Sequence, residues 1–473
     1  MLQQRYIDKQ AGPFSKVTPS LLKAPYWVAF NTELAEQIDF PHPASDNLLA
    51  VFSGQAILKD TQPIAQKYAG HQFGGWNPDL GDGRGLLLGE WLDNNQQHWE
   101  FHLKGAGKTP YSRFGDGRAV LRSSIREYLG SEALHALGIA STRALALVGS
   151  AESVVRESVE PGATLLRVTQ SHVRFGHFEW LAYKQDLAGL KHLAQYTIEQ
   201  HYPDCQEQPD PFAALFDAVA QQTAVMIGQW MAYGFVHGVM NTDNMSILGE
   251  TFDYGPYAFI EQTKMNAVFN HTDQNGRYAF DEQPSVGLWN LQRLAHAFSA
   301  LVPSETLKAS LERYAPTCDS TYYGILSKRL GGSFSQPIPP AICLQWVQLL
   351  ANNKLDYHWY FRQLSGLTLD QWASLADEFI DREGYLAWVK AVQPYLIQDD
   401  QQRTKQMLAA NPVTIARNAH LQTVIDLAYK GDFEPFHSLC AALMSPFEEQ
   451  PHWSQWQQKP VLDDRQIVLS CSS

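Results

Sequence analysis

The feature that most constrains this chain is a polar loop at residues 237 to 256, HGVMNTDNMSILGETFDYGP. It follows directly on Phe212 to Phe235, whose apolar residues recur at helical spacing and predict a long core helix. Asn244 stands seven residues after His237, and Asp253 begins an Asp-Tyr-Gly tripeptide nine residues later. Amide and carboxylate oxygens are ligands that hard divalent cations prefer. The loop therefore predicts a metal site at the end of a helix.

The same spacing occurs in the catalytic and metal loops of protein kinases, HxDxxxxN followed by Asp-Phe-Gly. In that pattern an aspartate stands two residues after the histidine, and here Val239 occupies its position. Asn244 and Asp253 occupy the two metal-binding positions. His237 is expected to anchor the loop to nearby backbone and is not a candidate base. The chain therefore either performs no chemistry or performs a different reaction on the same nucleotide.

A second region is glycine-rich and basic, although the chain as a whole carries a formal charge of -13. Eleven of the 32 glycines lie between Gly70 and Gly117. From Lys104 to Arg126 there are six basic residues and a single acid, Asp116. Flexible backbone combined with concentrated positive charge predicts a polyphosphate site. The GDGRG stretch at 81 to 85 is a weak signal by itself, because a plain hairpin turn has the same composition.

Local patterns place these residues on predicted elements. Apolar and polar residues alternate from Trp99 to Lys104, which predicts a strand ending in a lysine. Apolar residues then recur at helical spacing from Val120 until Gly138, and Glu127 lies on that helix. A strand lysine paired with a helix glutamate is how kinases hold a lysine on nucleotide phosphates. The alternative is an exposed strand lysine and a solvated helix glutamate.

Further strands are predicted at Thr142 to Val148 and at Ala163 to Thr169, and helices dominate from about residue 187 onwards. Arg167 and Arg174 lie seven residues apart, on the second of these strands and just after it, so together they are candidates to clamp a terminal phosphate. The order of elements predicts an α+β protein with a glycine-rich β lobe followed by a helical lobe.

Long stretches of the chain resemble the selenoprotein O family, whose bacterial members are called YdiU. The stretches that carry the resemblance are YAGHQFGGWNPDLGDGRG (68 to 85), HLKGAGKTPYSRFGDGRAVLRSSIREYL (102 to 129), RVTQSHVRFGHFE (167 to 179), HGVMNTDNMSILGETFDYGP (237 to 256), NHTDQNGRY (270 to 278), NPVTIARN (411 to 418) and the Ser-Cys-Ser-Ser tail. The resemblance implies a protein-kinase-like bilobal fold, with an N-lobe at 1–185 and a helical C-lobe with a C-terminal extension at 186–473. It also implies a pseudokinase that binds ATP in a flipped orientation and transfers AMP to hydroxyl side chains of proteins. UMP transfer, and Mg²⁺ or Mn²⁺ as the metal, are associated with the family as well.

Carried over by motif, the resemblance implies specific site residues. Asp243 is the expected proton acceptor, and Asn244 with Asp253 is expected to hold the metal. Glu127 is expected to hold Lys104, and the expected nucleotide-binding residues are Gly81, Gly83, Arg84, Lys104, Asp116, Gly117, Arg167, Arg174 and Asp253. Asp243 has an alternative role as a loop cap that bonds backbone amides. Attack by a Ser, Thr or Tyr hydroxyl on the α-phosphorus requires a carboxylate near the nucleophile and a cation on the phosphates.

Composition limits the remaining possibilities. The net charge and a pI of about 5.6 argue against a nucleic-acid partner. No apolar stretch approaches the roughly 20 residues that cross a bilayer, so a cytoplasmic monomer is expected. The five cysteines lack CxxC pairing, which predicts reduced thiols. Some family members carry a cysteine after the Asp-Tyr-Gly-Pro element that pairs with the tail, but Ala267 to Phe269 stand here, so a bridge to Cys471 is not expected.

Three hypotheses follow from the sequence. The first is a protein nucleotidyltransferase that uses ATP and a divalent metal. The second is a phosphotransferase in which Asp243 replaces the lost base and the γ-phosphate moves. The third is a catalytically inactive scaffold that binds ATP.

Overall fold

Ten of the twelve strands in the described residues lie within the first 170 positions, and helices dominate the rest. The computed structural model describes residues 2–41, 48–459 and Leu469, so Cys471 lies outside the described residues. The strands are β1 (Leu2–Gln3), β2 (Phe14–Lys16), β3 (Pro25–Phe30), β4 (Ile64–Gln72), β5 (Gly75–Gly81), β6 (Gly85–Leu92), β7 (His98–Lys104), β8 (Ala119–Val120), β9 (Arg143–Val155), β10 (Val159–Thr169), β11 (Phe235–Val236) and β12 (Ala258–Phe259).

Ten of these strands form one antiparallel sheet. Its main path runs β2-β4-β6-β7-β10-β9-β3, while β1 pairs with β6, β5 with β4 and β8 with β10. Lys104 at the end of β7 lies opposite Gly85 on one side and Leu165 on the other. The predicted strand that ends in a lysine is therefore a central strand of this sheet, and the strands predicted at 142 to 148 and 163 to 169 are confirmed within β9 and β10.

The sheet is buried on both faces around its central strands, where β6 carries an apolar run and β7 alternates apolar residues with buried polar ones. Successive side chains alternate between faces. Leu86 and Leu88 join a smaller cluster on one face of the sheet that includes Phe101, whereas Leu87 between them joins the main core. The main core extends from this face of the sheet through the helices that follow, as far as Trp456. One apolar core therefore fixes the sheet against the helical part.

The helices are α1 (Arg5–Asp8), α2 (Thr32–Gln37), α3 (Leu48–Phe52), α4 (Leu121–Ala136), α5 (Phe175–Tyr183), α6 (Leu187–His201), α7 (Pro211–Ala232), α8 (Gln283–Phe298), α9 (Ser304–Glu312), α10 (Tyr314–Arg329), α11 (Pro340–Asn352), α12 (Tyr357–Ser365), α13 (Arg382–Val392), α14 (Asp400–Leu408), α15 (Asn418–Ala428), α16 (Glu434–Met444) and α17 (Ser454–Gln457). Helix α4 packs on β9, β10 and α16 and is the predicted helix that carries Glu127. It ends just before Gly138, whose φ of +77° stops a helix.

The polar loop lies between α7 and α8, with the short β11–β12 pair at its base. The helix predicted at 212 to 235 is confirmed as α7, which ends slightly earlier. The predicted boundary between residues 185 and 186 falls between α5 and α6 and stays a prediction. Cys205, Cys318, Cys343 and Cys440 are free thiols. None of the described helices is both long and apolar enough to cross a membrane.

Candidate active site

A cavity of about 670 Å³ lies between the sheet and the polar loop. Its walls come from the glycine-rich turns of the sheet, from the end of β10 and from the loop that follows α7. The predicted site residues that line it are Gly81, Gly83, Arg84, Lys104, Asp116, Gly117, Arg167, Arg174, Asp243, Asn244 and Asp253. Glu127 is buried behind Lys104 and does not line the cavity. The fold thus brings together residues that are up to 172 positions apart in sequence.

Lys104, Glu127 and Arg167 form a buried network on the sheet side of the cavity. Glu127 on α4 pairs through one carboxylate oxygen with Lys104 and through the other with Arg167. Burial lowers the pKa of Lys104 to about 8, although Glu127 opposes this effect. The pKa of Glu127 is lowered, because Arg167 and Lys104 together outweigh its own burial. The predicted contact between the strand lysine and the helix glutamate is therefore present.

Asp253 lies on the opposite wall and joins the two arginines that the sequence singled out. Its carboxylate pairs with Arg167 at 2.5 Å and also with Arg174. Burial alone would raise the pKa of Asp253, but these guanidinium groups hold it well below its usual range. Arg174 is itself fixed between the rings of Tyr68 and Phe252, at 4.7 and 4.6 Å from their centres. Both arginines are thus held rigidly at the cavity with one carboxylate between them.

Hydrogen bonds within the polar loop join the residues whose spacing the sequence singled out. The Nε2 of His237 donates to the carbonyl of Phe252 at 3.0 Å, which ties the start of the loop to the residue before Asp253. This is the anchoring role expected for His237. The side-chain amide of Asn244 donates to the carbonyl of Val239 at 3.0 Å. Its nitrogen is therefore committed to the loop, and its amide oxygen is the atom left for a ligand.

Asp243 presents a buried carboxylate to the cavity. Its side chain accepts a hydrogen bond from Gln72 at 3.3 Å, and its Oδ1 has no hydrogen-bond partner. Burial raises the pKa of Asp243 to about 7, although Arg174 opposes this effect. The donor to this side chain from outside the loop is Gln72 on the β4–β5 hairpin. Proton acceptance by Asp243 stays a prediction.

Strand β4 covers Asp243 closely, and glycine makes this approach possible. A Cβ atom on Gly70 would lie 2.8 Å from the Oδ1 of Asp243. The amide of His71 also donates to the hydroxyl of Thr242 at 2.7 Å. The β4–β5 hairpin therefore sets the position of the candidate base.

The second glycine-rich turn is shaped by close backbone contacts. Gly117 has a φ of +74°, and a Cβ atom there would lie 2.1 Å from the carbonyl carbon of Gly107. The carboxylate of Asp116 accepts from the guanidinium of Arg156 at 2.7 and 2.9 Å. Asp116 and Arg156 both line the cavity, so Asp116 holds a cation there, and its predicted role in nucleotide binding stays a prediction.

Sequence reasoning missed several residues of the site. Arg156 was missed because it lies outside the basic segment, at a turn after β9. Gln72, Phe73 and Asn241 also line the cavity. Gln72 and Phe73 belong to the stretch 68 to 85 that carries the resemblance, which was the only available signal for them.

The residues around the loop fit a hard divalent cation. Asp253 contributes a partly exposed carboxylate and Asn244 an amide oxygen. Such oxygen ligands suit Mg²⁺ or Mn²⁺, whereas structural zinc prefers sulfur and nitrogen. In the described residues, no three His, Cys, Asp or Glu side chains are grouped as a metal site. A cation at Asp253 would share this carboxylate with Arg167 and Arg174.

Comparisons with known proteins agree with the motifs. A family model described as "Protein adenylyltransferase SelO" matches residues 3–444. "Protein nucleotidyltransferase YdiU" of Vibrio cholerae is 45% identical over 481 residues, covering 100% of this chain and 98% of the relative. The Pseudomonas aeruginosa protein of the same name is 44% identical over 469 residues, covering 98% of this chain and 96% of the relative. The chain therefore belongs to the SelO family of protein adenylyltransferases.

Proposed function

We propose that this chain transfers AMP from ATP to Ser, Thr or Tyr hydroxyls of protein acceptors and releases pyrophosphate. One observation carries the proposal: the buried Asp243 carboxylate, with an unpartnered oxygen, lines the same cavity as a cluster of fixed cations. The cations of this cluster are Arg84, Lys104, Arg156, Arg167 and Arg174. Family membership supports ATP as the nucleotide and a protein as the acceptor.

Each group has a role in this reaction. Asp243 accepts the proton of the acceptor hydroxyl, and Gln72 orients its carboxylate. Lys104 and Arg167, positioned by Glu127, bind phosphate oxygens and stabilise the negative charge that develops on them. Because these cations are fixed by existing ion pairs, they need little reorganisation during the reaction.

The cations also favour departure of pyrophosphate. Transfer of AMP breaks the bond between the α- and β-phosphates, so the leaving group is pyrophosphate and carries most of the negative charge. Arg84 and Arg156 line the same cavity as Lys104, Arg167 and Arg174 and add their positive charge to it. Arginine binds phosphate oxygens in a two-pronged geometry, which suits a multiply charged leaving group.

A divalent cation, Mg²⁺ or Mn²⁺, would be held by Asp253 and the amide oxygen of Asn244. Such a cation neutralises charge on the phosphates and acts as a Lewis acid on them. The central strand lysine, its helix glutamate and the loop after α7 also support a protein-kinase-like bilobal arrangement for the fold.

The position of the label separates the candidate reactions. The protein is incubated with an acceptor protein and ATP that is labelled on either the α- or the γ-phosphate, with Asp243→Asn as the matched inactive variant. We expect α label, and the mass of AMP, on acceptor hydroxyls with the wild type only. UTP labelled on the α-phosphate, used in parallel, measures UMP transfer.

Three other results would contradict parts of this proposal. Transfer of γ label alone would refute nucleotidyl transfer and favour the phosphotransferase. ATP binding without transfer of either label would favour the scaffold. Equal α transfer by the Asp243→Asn variant would remove Asp243 from the catalytic role.

A further inference from the structure

A second groove continues from the nucleotide cavity towards solvent. Its volume is about 630 Å³, and it is lined by the tip of the β4–β5 hairpin, by residues 272 to 277 and by the first turns of α8. Phe73 and Thr272 line both this groove and the nucleotide cavity. A polypeptide that lies in this groove is therefore next to the cavity that Asp243 lines. We call it the acceptor groove.

The walls of the acceptor groove are tied to the loop that carries Asp243. The amide of Phe73 donates to the side-chain oxygen of Asn241 at 3.1 Å and to the hydroxyl of Tyr278 at 3.0 Å. Tyr278 in turn donates to Asn241 at 2.7 Å. The carboxylate of Asp273 accepts the amides of Arg277 and Tyr278 at 3.0 and 2.7 Å. The groove is thus preformed and rigidly placed relative to the candidate base.

Arg277 is a half-buried cation on the wall of this groove. Its guanidinium group stacks on the ring of Trp289 at 4.5 Å and packs against Gly74 at the hairpin tip. Its Nε is buried and has no hydrogen-bond partner. Over residues 2–41, 48–459 and Leu469 the side chain forms no ion pair, not even with Glu282 on the same wall. By contrast, Arg156, Arg167 and Arg174 in the nucleotide cavity each pair with a carboxylate.

We propose that Arg277 binds an Asp or Glu side chain of the acceptor protein, so that the enzyme selects hydroxyls with an acidic residue nearby. This inference rests on the proposed function. A guanidinium group that stacks on an aromatic ring is fixed parallel to the ring. The N–H groups along its edge can then donate to both oxygens of a carboxylate. Arg277 does not line the nucleotide cavity, which has its own cations for phosphate. The ion-pair-free guanidinium of Arg277 therefore complements a carboxylate of the acceptor, although the groove also contains Glu282 and Asp273, whose carboxylate is taken up by two backbone amides.

Arg293 provides a matched control for Arg277. It stacks on the same Trp289 ring at 5.0 Å, is likewise half-buried, and lines a separate cavity on the other side of the hairpin. An Arg293→Gln variant therefore removes an equal charge from the same indole ring without touching the acceptor groove. Arg277→Gln removes the proposed contact, and Arg277→Lys keeps the charge but loses the two-pronged geometry.

The test uses peptides with a central Ser, Thr or Tyr and a single Glu, placed in turn at each position on either side, with Gln at the same position as the neutral partner. Transfer of α label from ATP gives kcat/KM for each pair, and fluorescence anisotropy gives peptide affinity in the presence of a non-hydrolysable ATP analogue. We expect the wild type and Arg293→Gln to prefer Glu at one or two positions by about ten-fold to a hundred-fold, the usual effect of a charged hydrogen bond. Arg277→Gln should lose this preference, and Arg277→Lys should keep part of it.

The two readouts separate this inference from the proposed function. Transfer of label with no Glu preference, or a preference that survives in Arg277→Gln, would overturn the inference and leave nucleotidyl transfer standing. A Glu preference in peptide binding without any transfer of α label would support the groove and refute the reaction. Loss of ATP affinity in a folded Arg277→Gln protein would identify Arg277 as a phosphate contact and would also overturn the inference.

Discussion

Replacing Lys104 and replacing Glu127 by neutral residues are expected to change the free energy of unfolding in opposite directions. The pKa of Lys104 is lowered to about 8 from its usual 10.5. Each pKa unit corresponds to about 1.4 kcal/mol, so protonated Lys104 costs the folded state on the order of 3 kcal/mol at pH 7. This cost is fully present below pH 8 and is relieved as the pH rises towards 10.5, because only the unfolded chain then keeps the proton.

Lys104→Met removes this buried charge and keeps a side chain of similar length, while Arg167 still pairs with Glu127. We expect the urea midpoint at pH 7 to equal or exceed that of the wild type, although ATP affinity falls. Glu127→Gln instead leaves Lys104 buried without its carboxylate partner, and removing one member of a buried pair costs about 3 to 5 kcal/mol. Its urea midpoint should therefore fall clearly below that of the wild type.

Tryptophan fluorescence during urea unfolding measures both midpoints, and ATP affinity is measured in parallel. Lys108→Met is the matched control, because Lys108 is an exposed lysine four residues further along the chain. It should change neither quantity. A Lys104→Met variant that unfolds at a clearly lower urea concentration than the wild type would show that the lysine stabilises the fold. Lys104 would then not be a destabilising residue that is kept for nucleotide binding.

Three further variants test the loop and its cover. Asp243→Asn should lower AMP transfer by about 10² to 10⁴-fold with ATP affinity retained, and a smaller loss measured with α-labelled ATP would contradict proton acceptance by Asp243. Gly70→Ala places a methyl group 2.8 Å from the Oδ1 of Asp243, so transfer should fall while the urea midpoint changes little; unchanged kcat would refute the close approach. Asp253→Ala should abolish the dependence of ATP binding and transfer on Mg²⁺ or Mn²⁺. Titration calorimetry with and without EDTA measures this dependence, and unchanged transfer would remove Asp253 from the metal site.

Local sequence patterns predicted the parts of the site that lie on regular elements. The alternation before Lys104 and the apolar spacing around Glu127 have the periods of a strand and of a helix, and such periodicity is visible in a single sequence. The contact between Lys104 and Glu127 then follows from the order of strand and helix. The α+β class followed in the same way, because strands and helices occupy separate parts of the chain.

Contacts between distant loops were not predictable in this way. Asp116 contacts Arg156 because the turn before β8 lies against the turn after β9, and no periodicity in the sequence indicates that contact. Gln72 reaches Asp243 across 171 residues because the β4–β5 hairpin folds over the loop. The role of Arg167 and Arg174 also needed the structure, since sequence alone did not indicate that both hold Asp253.

The β4–β5 hairpin explains why a base at position 243 can replace the one missing at Val239. Three consecutive contacts join the hairpin to the loop: Gly70 packs on Asp243, Gln72 donates to its carboxylate, and Phe73 donates to Asn241. The same Phe73 forms a wall of the acceptor groove. The hairpin therefore positions both the carboxylate and the groove that leads to it. Because Val239 receives only the amide of Asn244 on its carbonyl, its side chain is not needed for this arrangement.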